Sequence, residues 1–285
     1  MTSADPSLPD LRREIDEIDN QIHDLLIRRG ELQAAVVRAK QGSSVYIRPG
    51  REAMVLRRLC ARHQGRFPKA VLVRIWREIF SAGLSLQGEF SIAVLNGGGC
   101  GNDLRALARD HFGALTPFSD MGTAARVLQA VADGKATVGV LPMPESEESE
   151  PWWPRLARAG GQVPRIIARL PFAGPGSRAG NAEALAVALV PPEETGNDRS
   201  YLAVETARET SRSALRDAMG KAGFQVTDWK SWVGGNEQAL YLVECEGTLD
   251  ERDPRLDALA ADNDFVGTAW PIGSYAVPLS SEELA

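Results

Sequence analysis

Apolar residues at Leu8, Leu11, Ile15, Ile18, Ile22, Leu25, Leu32, Val36 and Ala39 follow one another at steps that alternate between three and four, with one gap of seven. This is the seam of a long amphipathic helix over 8–41. Pro9 and Asp10 suit its first turn. At ~1.5 Å per residue the helix runs ~50 Å, too long to bury alone, so partner helices are implied. Gly42-Ser43-Ser44 breaks the pattern. A second helix over about 50–63 follows Pro49 and carries Met54, Val55, Leu56 and Leu59. After a loop near Gly65, a third helix over about 67–86 carries Val71, Ile75, Trp76, Ile79 and Phe80. The plan is an all-α, three-helix module over 8–88.

At Phe90 the period changes. Residues 90–95 read as a strand, the glycines at 97, 98, 99 and 101 as a turn, and 103–112 and 123–132 as helices. A strand follows over 136–141. Strand alternating with helix implies an α/β lobe, over 90–192. The lobe continues through an acidic loop at 145–150 and two apolar strands, 165–170 and 184–189. From 197 to 280 the order is strand (200–205), helix (211–222), strands (226–232 and 240–246), helix (255–261) and strand (266–272). That βαββαβ order is ferredoxin-like, so the chain is multi-domain.

Charge divides along the same line. Residues 1–88 carry fifteen Lys/Arg against ten Asp/Glu, and the remainder carries seventeen against twenty-eight. A basic segment on an acidic protein points to a local anion site and argues against nucleic acid, which the acidic remainder would repel. No apolar run approaches the ~18 residues of a membrane span, and the N-terminus does not read as a signal peptide. Cys60, Cys100 and Cys245 read as free thiols, with the cytoplasm as the expected compartment. Three histidines announce no metal site, and no cofactor is expected.

One residue breaks the first seam. Continuing the heptad from Ile22 and Leu25 puts Arg29 on the apolar face. A guanidinium between helices costs several kcal/mol unless an anion pairs with it. Lys40, eleven residues on, shares that face ~16 Å along the axis, so the two cations can grip a small anion between them. Arg12 is ~25 Å from Arg29 and can join only from a second, antiparallel copy. On pattern alone, an internal carboxylate pairing with Arg29, with Arg12 and Lys40 solvated, serves equally well.

The segments Leu11-Arg-Arg-Glu-Ile-Asp-Glu-Ile-Asp19, Leu25-Leu-Ile-Arg-Arg-Gly-Glu-Leu32, Ala39-Lys40 and Tyr46-Ile-Arg-Pro-Gly-Arg-Glu-Ala53 together resemble the helical, AroQ-type chorismate mutases. The resemblance is closest to those fused ahead of prephenate dehydratase. It implies an intertwined homodimer with shared active sites and chorismate as substrate. Arg29, with Arg12 of the partner chain, would hold the two carboxylates. Lys40 would bridge a carboxylate and the ether oxygen, Glu52 would accept the ring hydroxyl, and Gln87 would donate to the ether oxygen. Arg48 or Arg51 would line the same wall and Val36 would pack on the ring. Gly83 stands where some family members have serine, leaving one hydrogen bond to water or absent. The chemistry fits these residue types. The rearrangement to prephenate needs no nucleophile or metal, only a dianion held in a reactive conformer and donors facing the charge that grows on the ether oxygen.

Residues 91–146 resemble the first part of a prephenate dehydratase domain. Val94-Leu-Asn-Gly-Gly-Gly-Cys-Gly101 stands at its glycine-rich loop, and Asp133 to Pro142 stands at the strand before a Glu-Asn-Ser motif that here reads Pro144-Glu145-Ser146. The glycine cluster lacks the Gly-Lys-Ser/Thr ending of a phosphate loop and reads as a turn. No Thr-Arg-Phe motif occurs and there is no room for a second lobe, so no dehydratase activity is expected. Residues 199–276 resemble an ACT regulatory domain, with Ser213-Ala214-Leu215 at the helix start and Gly267 to Tyr275 as closing strand. Lys230-Ser-Trp-Val233 departs from the phenylalanine-binding signature, which favours a structural role over an aromatic amino-acid effector site. The expected function is chorismate mutase with a non-catalytic extension. Two alternatives remain from sequence: an aromatic amino-acid-sensing regulatory partner of another shikimate-pathway enzyme, and isochorismate-pyruvate lyase, which shares the scaffold.

Overall fold

The structure is a computed structural model that describes residues 6–39, 47–97, 101–146, 148–158, 162–174, 180–233, 238–261 and 263–285. Helix α1 spans Leu8–Ala39, α2 Pro49–Arg62 and α3 Lys69–Ser85. The expected seam of α1 is not covered within the chain. Ile15, Ile22, Leu25 and Leu32 are each half or more exposed, and among the residues of α1 whose burial is described only Arg29, Gly30, Gln33 and Ala34 are half-buried. Helices α2 and α3 pack through Ala53, Leu56, Cys60, Val73 and Phe80, and this cluster takes in Phe172 and Leu279 from the rest of the chain.

The remainder is built on one nine-stranded sheet. Strand β1 (Ile92–Leu95), α4 (Gly101–Phe112), β2 (Phe118–Met121), α5 (Ala124–Ala132) and β3 (Val138–Pro142) form a parallel unit with β1 between β2 and β3. Leu104, Leu107 and Phe112 of α4 pack with Ile92, Val94, Val138 and Val140, while Val127 and Val131 of α5 pack with Ala93 and Leu141. Thr123 caps α5 by accepting from the Arg126 N–H at 3.3 Å. Strand β5 (Ala184–Ala188) extends the sheet antiparallel to β3, and β4 (Arg165–Leu170) pairs antiparallel with β5.

The last part runs β6 (Asp198–Ala207), α6 (Arg212–Lys221), β7 (Val226–Val233), β8 (Gln238–Glu246), α7 (Pro254–Ala261) and β9 (Val266–Ala276). This is the element order read from the sequence, and the strands lie β9-β6-β8-β7, antiparallel throughout. Leu215, Met219 and Leu259 cover one face of it. The sheet does not stop between the units read over 90–192 and 197–280: β9 joins β4 in parallel at Gly273 and Ile166. Strand β2, which the sequence reading left out, is four residues of Phe-Ser-Asp-Met at the sheet edge, without a buried face.

The helical module is fastened to this body by polar contacts. Arg74 donates to Asp110 at 2.7 Å, Ser81 and Thr116 share a hydrogen bond of 2.8 Å, and the Glu78 carboxylate accepts from the Ala114 N–H at 3.1 Å. Cys60 and Cys245 are buried free thiols, and Cys100 lies outside the described residues. No helix among the described residues is long and apolar enough to cross a membrane.

Candidate functional site

Three helical faces meet in one cleft of about 630 Å³. From α1 come Arg29, Gln33 and Val36, spaced four and three apart and therefore on one side of the helix. From α2 and the residue before it come Arg48, Arg51, Glu52, Val55 and Arg58. From α3 come Trp76, Phe80 and Leu84, one turn apart, with Gln87 just beyond its end. Six of the residues singled out from sequence, Arg29, Val36, Arg48, Arg51, Glu52 and Gln87, thus stand around one space. Lys40 lies outside the described residues. Arg12 is exposed on α1 and does not line this cleft.

Arg29 is half-buried, 5.8 Å from the Phe80 ring centroid, and its Nη1 donates to Gln33 Oε1 at 3.0 Å. Burial lowers its pKa and the Glu52 charge opposes that. Gly83 is buried beside this pair. A Cβ there would fall 2.1 Å from Gln33 Nε2, so the Gln33 amide occupies the space a side chain at 83 would need. Because an arginine only donates, the Gln33 oxygen faces Arg29, and its amide nitrogen, a donor, has no hydrogen bond among the described residues.

Glu52 is held from behind. Arg77 of α3, 4% exposed, donates through Nη1 to Glu52 Oε2 at 2.8 Å. Burial raises the Glu52 carboxyl to about 7, Arg77 and Arg29 pulling it down and Glu193 pushing it up. Burial likewise lowers Arg77, to about 10, against the pull of Glu52. Arg77 also stands 5.2 Å from the Phe172 ring centroid. Sequence reasoning missed Arg77, Gln33, Val55, Arg58, Trp76, Phe80 and Leu84. Gln33 carried a faint signal, lying four residues after Arg29. The Arg77–Glu52 pairing carried none, being a contact between two helices.

Four guanidinium groups around apolar walls suit a small anion with an apolar body. The described lining residues include no serine, cysteine, histidine or lysine, so they offer no nucleophile and only one carboxylate. The arrangement can bind, orient and donate hydrogen bonds.

Residues 11–88 match the family model for chorismate mutase type II. The bifunctional chorismate mutase/prephenate dehydratase of Stutzerimonas stutzeri is 33% identical over 154 residues, which is 52% of this chain and 41% of that protein. The chain spans about two fifths of the length of the curated relatives it matches. Among solved structures, one described as a novel type of quorum quenching acylase aligns at TM-score 0.48 and 20% identity, over 68% of this chain and 97% of that one. The prephenate dehydratase from Streptococcus mutans aligns at 0.44 and 14%, over 67% and 100%.

Proposed function

With residues 11–88 matching chorismate mutase type II, we propose that this chain catalyses the rearrangement of chorismate to prephenate in a cleft shared between two copies. Arg29 holds one substrate carboxylate, and Arg12 of the partner subunit holds the other. Arg48 and Arg51 line the wall beside them, Lys40 bridges a carboxylate and the ether oxygen, and Val36 packs on the ring. Glu52 accepts the ring hydroxyl's hydrogen bond, and Gln87 donates to the ether oxygen as negative charge grows there. Holding the dianion folded removes the entropic part of the barrier, and fixed donors facing the ether oxygen stabilise the transition state by ~3–4 kcal/mol each. Neither needs a cofactor.

The observation that supports this reading is the convergence of cations, one carboxylate and amide donors on one cleft whose described lining residues include no serine, cysteine or histidine. The uncovered α1 seam supports the dimer. Leu8, Leu11, Ile15, Ile18, Ile22 and Leu25 stand exposed along one side of a helix that also carries Arg12, and a second antiparallel copy of α1 buries that side and delivers the arginine. The α/β lobe, dehydratase-like, and the βαββαβ unit, ACT-like, are non-catalytic here, and the latter serves assembly rather than effector binding.

The test is incubation of the purified chain with chorismate, following loss of its absorbance. Prephenate is expected, detected as phenylpyruvate only after acid treatment. Unchanged chorismate overturns the mutase reading. Phenylpyruvate formed without acid overturns the non-catalytic role of the extension.

A further inference from the structure

Helix α2 begins without a cap of its own. Arg48, at the N-cap position, makes no side-chain cap, and Pro49 occupies the first turn. The orphan amides of that turn are met from far along the chain. Glu193, in the segment 189–197 between β5 and β6, accepts from the Gly50 N–H at 3.0 Å and from the Arg51 N–H at 3.3 Å through Oε2. A carboxylate at a helix N-terminus is favoured by both the free N–H groups and the dipole. Its other oxygen accepts from Arg48 Nε. Residue 50 must be bare for this approach, because a Cβ on Gly50 would fall 2.6 Å from Glu193 Cβ. The segment is tied a second time further along α2. There Arg57 donates to Thr195 Oγ1 at 2.7 Å and to the carbonyls of Asn197 and Val277 at 2.8 Å.

Arg48 is therefore held through Nε, and it lines the cleft. Its two terminal nitrogens have no hydrogen bond among the described residues. We propose that Glu193 is a positioning residue of the mutase cleft, fixing the Arg48 side chain so that its terminal nitrogens meet the bound dianion. The proposal rests on the mutase reading above. A free arginine side chain loses up to ~2 kcal/mol of rotamer entropy when it is fixed. Glu193 fixes it before substrate arrives. The segment joining two non-catalytic units thereby becomes part of the mutase.

The test is steady-state kinetics on the full-length chain with chorismate, for wild type, Glu193→Ala, Glu193→Gln, Arg48→Ala and the Arg48→Ala/Glu193→Ala double variant. Glu193→Ala is expected to raise KM about tenfold, the scale of one charge-assisted hydrogen bond, with a much smaller change in kcat. Glu193→Gln keeps an acceptor for the amides but no charge for Arg48, and falls between. In the Arg48→Ala background the Glu193 substitution adds nothing further to KM. A residue that merely caps α2 would add the same increment with or without Arg48, and that result overturns the proposal, as does an unchanged KM in either folded variant. Should Glu193→Ala not fold, the same cycle with Glu193→Gln decides. No turnover by the wild type overturns the mutase reading and this proposal with it, whereas turnover with additive effects overturns this proposal alone.

Discussion

Nη1 of Arg77 donates to Oε2 of Glu52 at 2.8 Å, and the two side chains are only 5% and 13% exposed. They join α3 to α2 directly behind the cleft. Removing one partner from a buried pair leaves the other charged and unmatched, which costs ~3–5 kcal/mol. Arg77→Ala is expected to lower the free energy of urea unfolding by up to that amount well above about pH 7, and by less at and below it, where the unpaired Glu52 takes up a proton instead. The double variant Glu52→Leu/Arg77→Met should recover most of the loss, since no charge then remains to be matched. A loss below about 1 kcal/mol in Arg77→Ala at the higher pH would mean that the pair is solvated.

The same carboxyl sets a pH dependence. Burial raises Glu52 from its ordinary 4.5 to about 7, so the folded state holds this proton more tightly than the unfolded chain. Its contribution to stability is full below about 4.5 and is lost as pH rises through about 7. Activity runs the other way. Glu52 accepts the ring hydroxyl best as a carboxylate, so kcat is expected to climb through about pH 7. Glu52→Gln should be slower and flat across that range. Because Glu193 pushes Glu52 up while Arg77 and Arg29 pull it down, Glu193→Gln should move the wild-type limb toward lower pH. A limb that persists in Glu52→Gln belongs to another group.

How far the cleft was legible from sequence depended on whether each residue left a local trace. Arg29 did, because a cation interrupts an apolar heptad, and the same seam predicted partner helices, yet it stays exposed among the described residues. Arg48, Arg51 and Glu52 were reached through a motif around a helix start. Gln33 shares the face of Arg29, but a glutamine at that spacing is ordinarily a solvated surface residue. Glu193 and Arg77 act across 145 and 25 positions of sequence, and no periodicity reports such contacts. The βαββαβ order was readable because each element has its own period. Its fusion with the α/β lobe into one sheet was not, since that rests on the register of Ile166 with Gly273. The edge strand β2 escaped because its Phe-Ser-Asp-Met run has neither alternation nor a buried face.

Gln87 borders the cleft as a neutral amide, able to donate at any pH. A glutamate in its place donates only when protonated, and its ordinary pKa lies near ~4.3. Gln87→Glu is therefore expected to lose ~10²–10³ in kcat above neutrality, the cost of one transition-state donor. Its rate relative to wild type should recover steadily as pH falls toward about 5. The measurement is the ratio of kcat values across that range, which removes the Glu52 limb common to both proteins. A Gln87→Glu variant with near-wild-type kcat at pH 8 would remove Gln87 from the ether oxygen.

Gly273 occupies the one β9 position in register with β4, at φ +141, a conformation that L side chains rarely adopt. A Cβ there would fall 2.2 Å from both the N and the O of Ile166. Both obstacles are backbone atoms in strands and neither can swing aside. Gly267 lies on the same strand without a positive φ, and the nearest atom to its Cβ is the carboxylate end of Glu205 at 2.9 Å, which can rotate away. Gly273→Ala is thus expected to cost ~3 kcal/mol or more, and Gly267→Ala less than about 1 kcal/mol. Amide hydrogen exchange should locate the damage, with protection lost first at Ile166 and around Gly273, where β4 and β9 part, while β1 and β3 stay protected. Equal destabilisation by the two alanines would show that the strands do not meet at Ile166.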